Sequence, residues 1–362
     1  MCKLISNNAG QIKFWIARKI RFGLTILFLA VLSVCQDDIS APDNFIKEEL
    51  GVVVNSLDVS LTVFSVNEPD VSNIIGLSPD GSPVDLALNG SLAVVPLGIV
   101  PAVAVVNLSS GILLRTIALP EGSGATGIDF LNDSLVLVAN PLLNSVSPVN
   151  IIRGTVKSAI EVDGFPHYVT VSDGRALVLN ANLGSDFSPK GPGTVSVVDI
   201  GDLSVIGTIQ LSGENPSSAV MGPDGLLYII NSGRFGVGNG SLSVVDIDNM
   251  IEVSHHIGFG EFPSSPVFGG KGNLFFSSFA FGVGAWNPSI SSFLFAPPNA
   301  ITIQGSSGSS GVGFDSHGRM YTVQSDCMNP STVVRLSGDL TTETVIPTGI
   351  CSTTIGFTQI DH

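Results

Sequence analysis

The sequence has few basic residues, and they are unevenly placed. Only 15 of its 362 residues are Lys or Arg, against 30 Asp or Glu. Residues 1–34 hold five of the basic residues and no acidic one, which leaves 10 basic against 30 acidic side chains, a net charge of −20, on the rest of the chain. Because such a body repels phosphate backbones, the charge argues against nucleic acid as a partner. A solvated acidic surface and an acidic docking patch are the two interpretations that remain.

Several common patterns are also absent. After residue 50, no long segment shows the apolar period of 3.6 residues that marks a helix, which argues against a helical or α/β fold. The spacings HxH, HExxH, CxxC and GxSxG do not occur, and neither does a P-loop. The usual signatures of zinc sites, catalytic nucleophiles and nucleotide binding are therefore missing.

What the chain does have is a repeat of about 40 to 50 residues. Each unit opens with a short inner strand that carries Pro or Ser. A tight turn such as Asp224-Gly225 follows, then an apolar strand such as Tyr228–Asn231, a loop, and a second apolar strand such as Leu242–Asp246. Short apolar runs between turn residues predict an all-β chain, and this spacing is typical of propellers with four strands per blade.

The two ends of the chain complete one blade. The segments Val52–Asn55, Leu61–Val66 and Val71–Gly76 supply second, third and fourth strands, but no inner strand precedes them. The segment Cys351–Phe357 supplies an inner strand with nothing after it. Six full units and one shared unit predict a seven-bladed β-propeller of four-stranded antiparallel blades over residues 51–362, closed so that no sheet edge is left at the junction.

The strand endings point to a family. The chain has Leu177–Asn180 and Tyr228–Asn231 after turn pairs, followed by strands that end in Val-Val-Asp at Val195–Asp199 and Leu242–Asp246. In these features the chain resembles the YVTN-repeat family over roughly residues 51–362. The resemblance implies a seven-bladed propeller of the cell surface or periplasm. Propellers of this kind serve as binding bodies, surface proteins and occasional enzymes, so the resemblance specifies architecture more than activity.

The N-terminus has the features of an export signal. Basic residues up to Arg21 precede the apolar run Leu24–Val34, which is about half the length of a membrane-spanning helix and fits the apolar region of a signal peptide. The segment Leu32–Cys35 resembles a bacterial lipobox, with Val34 in place of a small residue. We expect residues 1–35 to be a signal peptide with a lipobox-like end and residues 36–50 a polar tether.

The predicted location is the periplasm or the outer cell envelope, with a membrane anchor through lipid on Cys35. Plain secretion and an uncleaved anchor are the alternatives. Cys2 leaves with the signal peptide, so Cys327 and Cys351 remain as an even pair in an oxidising compartment. Both are predicted on the top face, which we define as the face that carries the loops between strands 2 and 3 and between strands 4 and 1. We therefore predict a disulfide between them.

Long loops with aromatic residues predict a shallow binding surface on the top face. The loops between strands 2 and 3 are long in units three to six, at residues 181–193, 232–240, 277–289 and 325–331. This surface suits a small ligand, a glycan or a protein. Alternatively, the aromatic rings fold inward and cap the blades. The candidate residues are Phe187, Lys190, Arg234, Phe235, Phe281 and Trp286, with His167 at the start of an inner strand.

Two further sets of residues have expected roles of their own. Asp85 and Asp129 fall in adjacent inner strands and could bind a divalent metal near the channel, as in propeller hydrolases of the lactonase or gluconolactonase kind; the alternative is a structural or water-bound role. A non-enzymatic binding scaffold needs no cofactor, and whether the chain is an enzyme stays open. Asparagines recur at the ends of second strands, where we expect each to bond nearby backbone and start a loop: Asn55, Asn140, Asn180 and Asn231.

Overall fold

A computed structural model describes residues 47–306 and 308–361. The predicted signal peptide, Cys35 and residues 36–46 of the predicted tether lie outside the described residues. The first strand begins at Lys47, four residues before the expected start of the propeller. In the described part of the chain, no helix has the length and apolar character needed to cross a membrane.

The strands form seven sheets, which we number as blades 1–7, each given from the inner to the outer strand. Blade 1 contains β4 (Ala87–Asn89), β5 (Leu92–Pro96), β6 (Ala102–Asn107) and β7 (Ile112–Ala118). Blade 2 contains β8 (Ile128–Asn132), β9 (Leu135–Asn140), β10 (Ser145–Asn150) and an outer strand split into β11 (Thr155–Val156) and β12 (Ile160–Glu161). Blade 3 contains β13 (Pro166–Ser172), β14 (Arg175–Asn180), β15 (Pro192–Asp199) and β16 (Ser204–Glu214).

Blades 4 to 7 follow the same plan. Blade 4 contains β17 (Pro216–Met221), β18 (Leu227–Asn231), β19 (Gly240–Asp246) and β20 (Ile251–Gly260). Blade 5 contains β21 (Ser264–Phe268), β22 (Leu274–Ser278), β23 (Gly282–Asn287) and β24 (Ser292–Phe295). Blade 6 contains β25 (Gly311–Phe314), β26 (Met320–Gln324), β27 (Pro330–Leu336) and β28 (Thr342–Ile350). Blade 7 contains β29 (Ser352–Asp361), β1 (Lys47–Asn55), β2 (Ser60–Ser65) and β3 (Ser72–Gly76).

Short 3-10 turns occupy four of the connections in the described chain: Pro141–Leu143, Gly270–Gly272, Pro288–Ile290 and Pro297–Asn299.

Blade 7 closes the ring as the sequence predicts. Strand β29 at the C-terminal end pairs antiparallel with β1, so that Val53 lies opposite Ile355 and Lys47 opposite Asp361. The inner strands contact one another in the order β4, β8, β13, β17, β21, β25 and β29, and β29 contacts β4 again. The seven-bladed, all-β prediction is therefore confirmed.

The core lies between blades, which explains the apolar runs of the middle strands. All of β9 and all of β18 are buried, because a neighbouring blade covers each face. The interface of blades 3 and 4, for example, joins Leu177 and Val197 to Ile229. Pro216 can begin β17 because an innermost strand has no inner neighbour that requires its N–H.

The repeated asparagines have a role within each blade that differs in part from the expectation. In the described chain each Nδ2 donates to two hydroxyls on the third strand of the same blade, and of the four side chains only that of Asn55 also bonds backbone, because its Oδ1 accepts the Gly349 amide. The amide thereby joins the end of strand 2 to the start of strand 3, and all four asparagines are buried. The bonds, of 2.9–3.3 Å, run from Asn55 to Ser60 and Thr62, from Asn140 to Ser145 and Ser147, from Asn180 to Thr194 and Ser196, and from Asn231 to Ser241 and Ser243.

Candidate ligand-binding site

A cleft of about 590 Å³ opens on the top face between the long loops of blades 3 and 4. Four of the predicted residues line it: His167, Phe187, Arg234 and Phe235. We call this recess the top cleft. The other residues that line it are Leu183, Asp186, Ser188, Pro189, Asn215, Ser217, Ser232, Gly233, Val237 and Phe262.

The blade 3 wall of the top cleft is a tight loop that holds a phenylalanine outward. The Gly184 amide donates to the Ser188 carbonyl, and the Phe187 amide donates to the Gly184 carbonyl. The Phe187 side chain is 63% exposed, and its ring meets the Phe165 ring edge-on with centroids 5.9 Å apart. The loop therefore presents an aromatic face to solvent instead of capping the blade.

The blade 4 wall carries the second outward ring. Phe235 is 76% exposed, and its ring lies 6.0 Å from the Phe262 ring and 6.4 Å, nearly parallel, from the Phe279 ring. The loop is held by the Gly236 amide, which donates to Glu261 Oε1 at 2.6 Å. Exposed aromatic clusters of this kind are costly in water unless a ligand or partner covers them.

Among the described residues that line the top cleft, Arg234 is the one with a permanent positive charge, and it is already paired. Its Nε and Nη2 donate to the two carboxylate oxygens of Glu214 at 2.9 and 2.6 Å. Hydrogen bonding to Arg234 lowers the pKa of Glu214, and the same bonds raise the pKa of the guanidinium. Asp186 also lines the cleft, and its hydrogen bond from the Ser188 amide lowers its pKa. One carboxylate, Asp186, and one guanidinium, Arg234, line the cleft, and the Glu214 carboxylate that pairs with Arg234 brings the net charge of these three groups to −1.

His167 lies where the top cleft meets the central channel. Together with Ser217, Ser232 and Phe262 it lines both the cleft and a channel cavity of about 600 Å³. Burial lowers the pKa of His167, so the imidazole is neutral at pH 7. Its Nδ1 is buried and has no hydrogen-bond partner among the described residues. His167 therefore brings a buried ring nitrogen, without a partner among the described residues, to the place where the two cavities meet.

The two channel carboxylates serve as acceptors for backbone amides. Asp85 accepts from the Leu86 amide and, across the blade boundary, from the Ile128 amide at 3.2 Å. Asp129 likewise accepts from the next inner strand, at the Val171 amide, at 2.8 Å. Burial raises the pKa of Asp85 to about 7 and also raises that of Asp129. These contacts fit the structural alternative, and in the described chain no three His, Cys, Asp or Glu residues group to hold a metal.

Three predicted site residues lie elsewhere. The loop expected at residues 277–289 is wrong: β22 continues to Ser278 and β23 begins at Gly282, so only three residues connect them. Trp286 therefore lies within β23, 5% exposed, in the apolar interface between blades 4 and 5. Phe281 packs against that interface, and Lys190 is exposed without lining the top cleft.

Two important lining residues escaped the sequence analysis. Phe262 lies in the loop from strand 4 of blade 4 to strand 1 of blade 5, which belongs to the top face by the same rule that placed the other loops. It takes a positive φ of 48°, as do Phe165, Asn215 and Cys351 at the equivalent position before an inner strand. Asp186 had a visible signal too, since it precedes Phe187 directly.

The predicted disulfide is also on the top face. Cys327, in the loop between β26 and β27, is bonded to Cys351, which precedes β29, with their Cα atoms 4.0 Å apart. The bond joins blade 6 to the inner strand of blade 7 at the point where the ring closes.

Comparison with known proteins identifies the fold and no more. No protein-family model matches the chain, and no curated protein matches it. Among solved structures, hydrazine synthase of Kuenenia stuttgartiensis matches 77% of this chain and 90% of its own, at 17% identity and a TM-score of 0.62. A protein of unknown function from Desulfotomaculum acetoxidans DSM 771 matches 85% and 98%, at 15% identity and a TM-score of 0.62. The WD40 β-propeller domain of Doa1 matches 79% of this chain and 88% of its own, at 15% identity and a TM-score of 0.58. At these identities, the structural similarity shows the β-propeller fold and nothing about function.

Proposed function

We propose that this protein is an exported, lipid-anchored member of the YVTN-repeat group whose propeller is a non-enzymatic scaffold that binds a ligand in the top cleft. The observation that carries the proposal is the pair of outward rings, Phe187 and Phe235, on opposite walls of one recess. Both rings come from loops that hydrogen bonds hold in place, so the recess is formed before any ligand arrives.

Export and anchoring are supported by the N-terminal sequence. A basic segment, an apolar run and Cys35 occur in the order of a lipoprotein signal. The Cys327–Cys351 bond suits an oxidising compartment such as the periplasm.

A metal-dependent lactonase-type hydrolase has less support. The candidate ligands Asp85 and Asp129 each accept two backbone amides, which leaves them few lone pairs for a cation. No observation in the described chain favours this second function over a binding scaffold.

A binding screen tests the scaffold. The purified propeller is presented to glycan and peptide arrays, and hits are measured by calorimetry on wild type and on Phe187→Ala/Phe235→Ala. We expect the double variant to lose at least about tenfold in affinity, since each ring contributes about 1 kcal/mol or more of contact. The control is Ile290→Ala, which removes a side chain that is 67% exposed in the turn between β23 and β24, on the opposite face. Equal binding by wild type and double variant would refute the cleft as the site.

Anchoring is tested separately in a bacterial host. Metabolic labelling with a fatty-acid analogue is expected to mark the wild type but not Cys35→Ser, and the wild type alone is expected to fractionate with membranes. If the label appears on Cys35→Ser, or on neither protein, the proposed lipid anchor is contradicted. The proposal that the top cleft binds a ligand is not affected by that result.

A further inference from the structure

We infer that the top cleft selects small organic cations, ligands that carry an alkylammonium group. This inference rests on the proposed function, because it names the chemical class that the cleft would bind. Three observations support the inference: the charge in and around the lining, the arrangement of the rings, and the pairing of Arg234 with Glu214.

The charge in and around the cleft is negative once the pairing of Arg234 with Glu214 is counted. Asp186 lines the blade 3 wall, and its lowered pKa keeps it ionised. On the blade 4 side, Glu261 lies behind the loop and accepts the Gly236 amide. Lys190 belongs to the same loop as Asp186 but does not line the recess. The surrounding body has a strong acidic excess, so the wider field also attracts cations.

Arg234, the cation that lines the cleft, is already bonded to a carboxylate of the protein. Arg234 makes two parallel bonds to Glu214, and Asn239 Nδ2 donates to the same carboxylate at 3.2 Å. A bidentate pair of this kind is geometrically well matched and is not readily exchanged for an external anion. Within the described chain, no residue that lines the cleft therefore offers an unpaired positive group to a carboxylate or phosphate ligand.

The rings supply the complementary face. The electron-rich faces of aromatic rings attract a cation within about 6 Å, and several rings around one recess reinforce the effect. Phe187 bounds one side, while Phe235 and Phe262 form an edge-on pair at the other with centroids 6.0 Å apart. A quaternary or protonated alkylammonium presents apolar methyl or methylene groups and a positive charge together, which suits a recess that is aromatic and anionic.

The decisive experiment compares a cation with its neutral isostere on the full propeller. Choline and 3,3-dimethylbutan-1-ol have nearly the same shape and differ in the charged nitrogen. We expect calorimetry at low salt to give an affinity for choline about tenfold higher than for the alcohol. This difference in affinity should become smaller at about 0.5 M salt, because salt screens the attraction between the cation and the cleft. The anion 3,3-dimethylbutanoate is expected to bind more weakly than either.

Variants then assign the effect to the cleft. Phe187→Ala/Phe235→Ala is expected to abolish the preference for choline, and Asp186→Asn to reduce choline affinity by about threefold. The matched control is Asp202→Asn, because Asp202 accepts the Ser204 amide in the same way but lies in the turn between β15 and β16 on the opposite face. Thermal unfolding of each variant checks that the fold is kept.

The outcomes separate this inference from the proposed function. Equal affinity for choline and the alcohol, or no binding of choline, overturns the cation inference. If array hits of another chemical class still depend on Phe187 and Phe235, the proposed scaffold function holds and the cation inference does not. If no hit of any class depends on these rings, both fall together.

Discussion

Two regions of the ring use the same repeated residue for different purposes. The ring-closing junction is the contact between blades 6 and 7, and the cleft sector is blades 3 and 4 with the start of blade 5, around the top cleft. In both, an asparagine at the end of strand 2 donates to two hydroxyls on strand 3. At the junction, Asn55 Oδ1 also accepts from the Gly349 amide at 3.1 Å and from Ser352 Oγ at 2.8 Å. In the cleft sector, Asn231 Oδ1 is buried and has no partner among the described residues. One residue type thus stabilises a single blade in one place and joins two blades in the other.

The two regions also differ in what they show to solvent. The junction adds further bonds, such as Glu49 accepting the Ser316 amide at 2.7 Å, and the Cys327–Cys351 disulfide. The cleft sector instead exposes Phe187 and Phe235. The comparison teaches that side-chain bonds and a disulfide join strands from the two ends of the chain at the junction, whereas the cleft sector carries exposed aromatic rings on its loops.

The largest effect is expected from breaking the junction. Deletion of residues 352–362 removes β29 and leaves the inner edge of β1 and the apolar contact of Val53 with Ile355 open. We expect loss of cooperative thermal unfolding by circular dichroism, because an open ring exposes sheet edges and interblade core. Deletion of residues 361–362 is the control and should leave the melting curve nearly unchanged. A cooperative transition in the longer deletion would contradict the closing role of blade 7.

The disulfide is the next largest contribution at the junction. In the chain-entropy model, a bond across a separation of 24 residues stabilises the fold by about 3 kcal/mol. Cys327→Ser/Cys351→Ser should lower the free energy of unfolding in urea by about that amount, while ligand binding in the distant cleft stays at the wild-type value. An unchanged urea midpoint would show that the other junction bonds suffice.

The asparagines provide a direct comparison of the two regions. Asn55→Ala removes bonds within blade 7 and to blade 6, whereas Asn231→Ala removes only bonds within blade 4. We expect a loss of about 3 kcal/mol for Asn55→Ala and about 1–2 kcal/mol for Asn231→Ala, since each unsatisfied buried partner costs about 1–3 kcal/mol. Urea unfolding of both variants measures the difference, and equal losses would show that the additional bond of Asn55 to blade 6 contributes no stability.

The smallest effect concerns pH. Asp85, beside blade 7, has its pKa raised to about 7 by burial, so the folded state retains a proton that the unfolded state loses near pH 4. Its contribution to stability is therefore full below about pH 4 and is lost as the pH rises through 7. The midpoint of thermal unfolding should fall from pH 5 to pH 8 more steeply in wild type than in Asp85→Asn.

A matched variant in the cleft sector controls for this pH effect. Ser218 Oγ accepts the Ser265 amide across the boundary of blades 4 and 5, as Asp85 accepts the Ile128 amide, but a hydroxyl does not titrate in this range. Ser218→Ala should therefore keep the wild-type slope. Parallel slopes for wild type and Asp85→Asn would mean that Asp85 is ionised in the folded protein.

The blade count and the ring closure could be predicted from the sequence because they depend on patterns. No inner strand precedes the apolar run Val52–Asn55, and no further strand follows the C-terminal strand, so the two must complete one blade. The site was harder. Trp286 was placed in a loop because the polar and small residues around it obscure the third strand of blade 5. The loop that carries Phe262 could have been placed on the top face, but the direction of its ring depends on a left-handed backbone conformation, for which a phenylalanine gives no sequence signal.

The pairing of Lys47 with Asp361 has a practical consequence. Strand β1 runs from Lys47 towards the face that carries the disulfide, and β29 runs away from it, so Lys47 and Asp361 both lie on the face remote from the top cleft. Attachment of the propeller to a surface through that remote face would therefore leave the top cleft open to solvent.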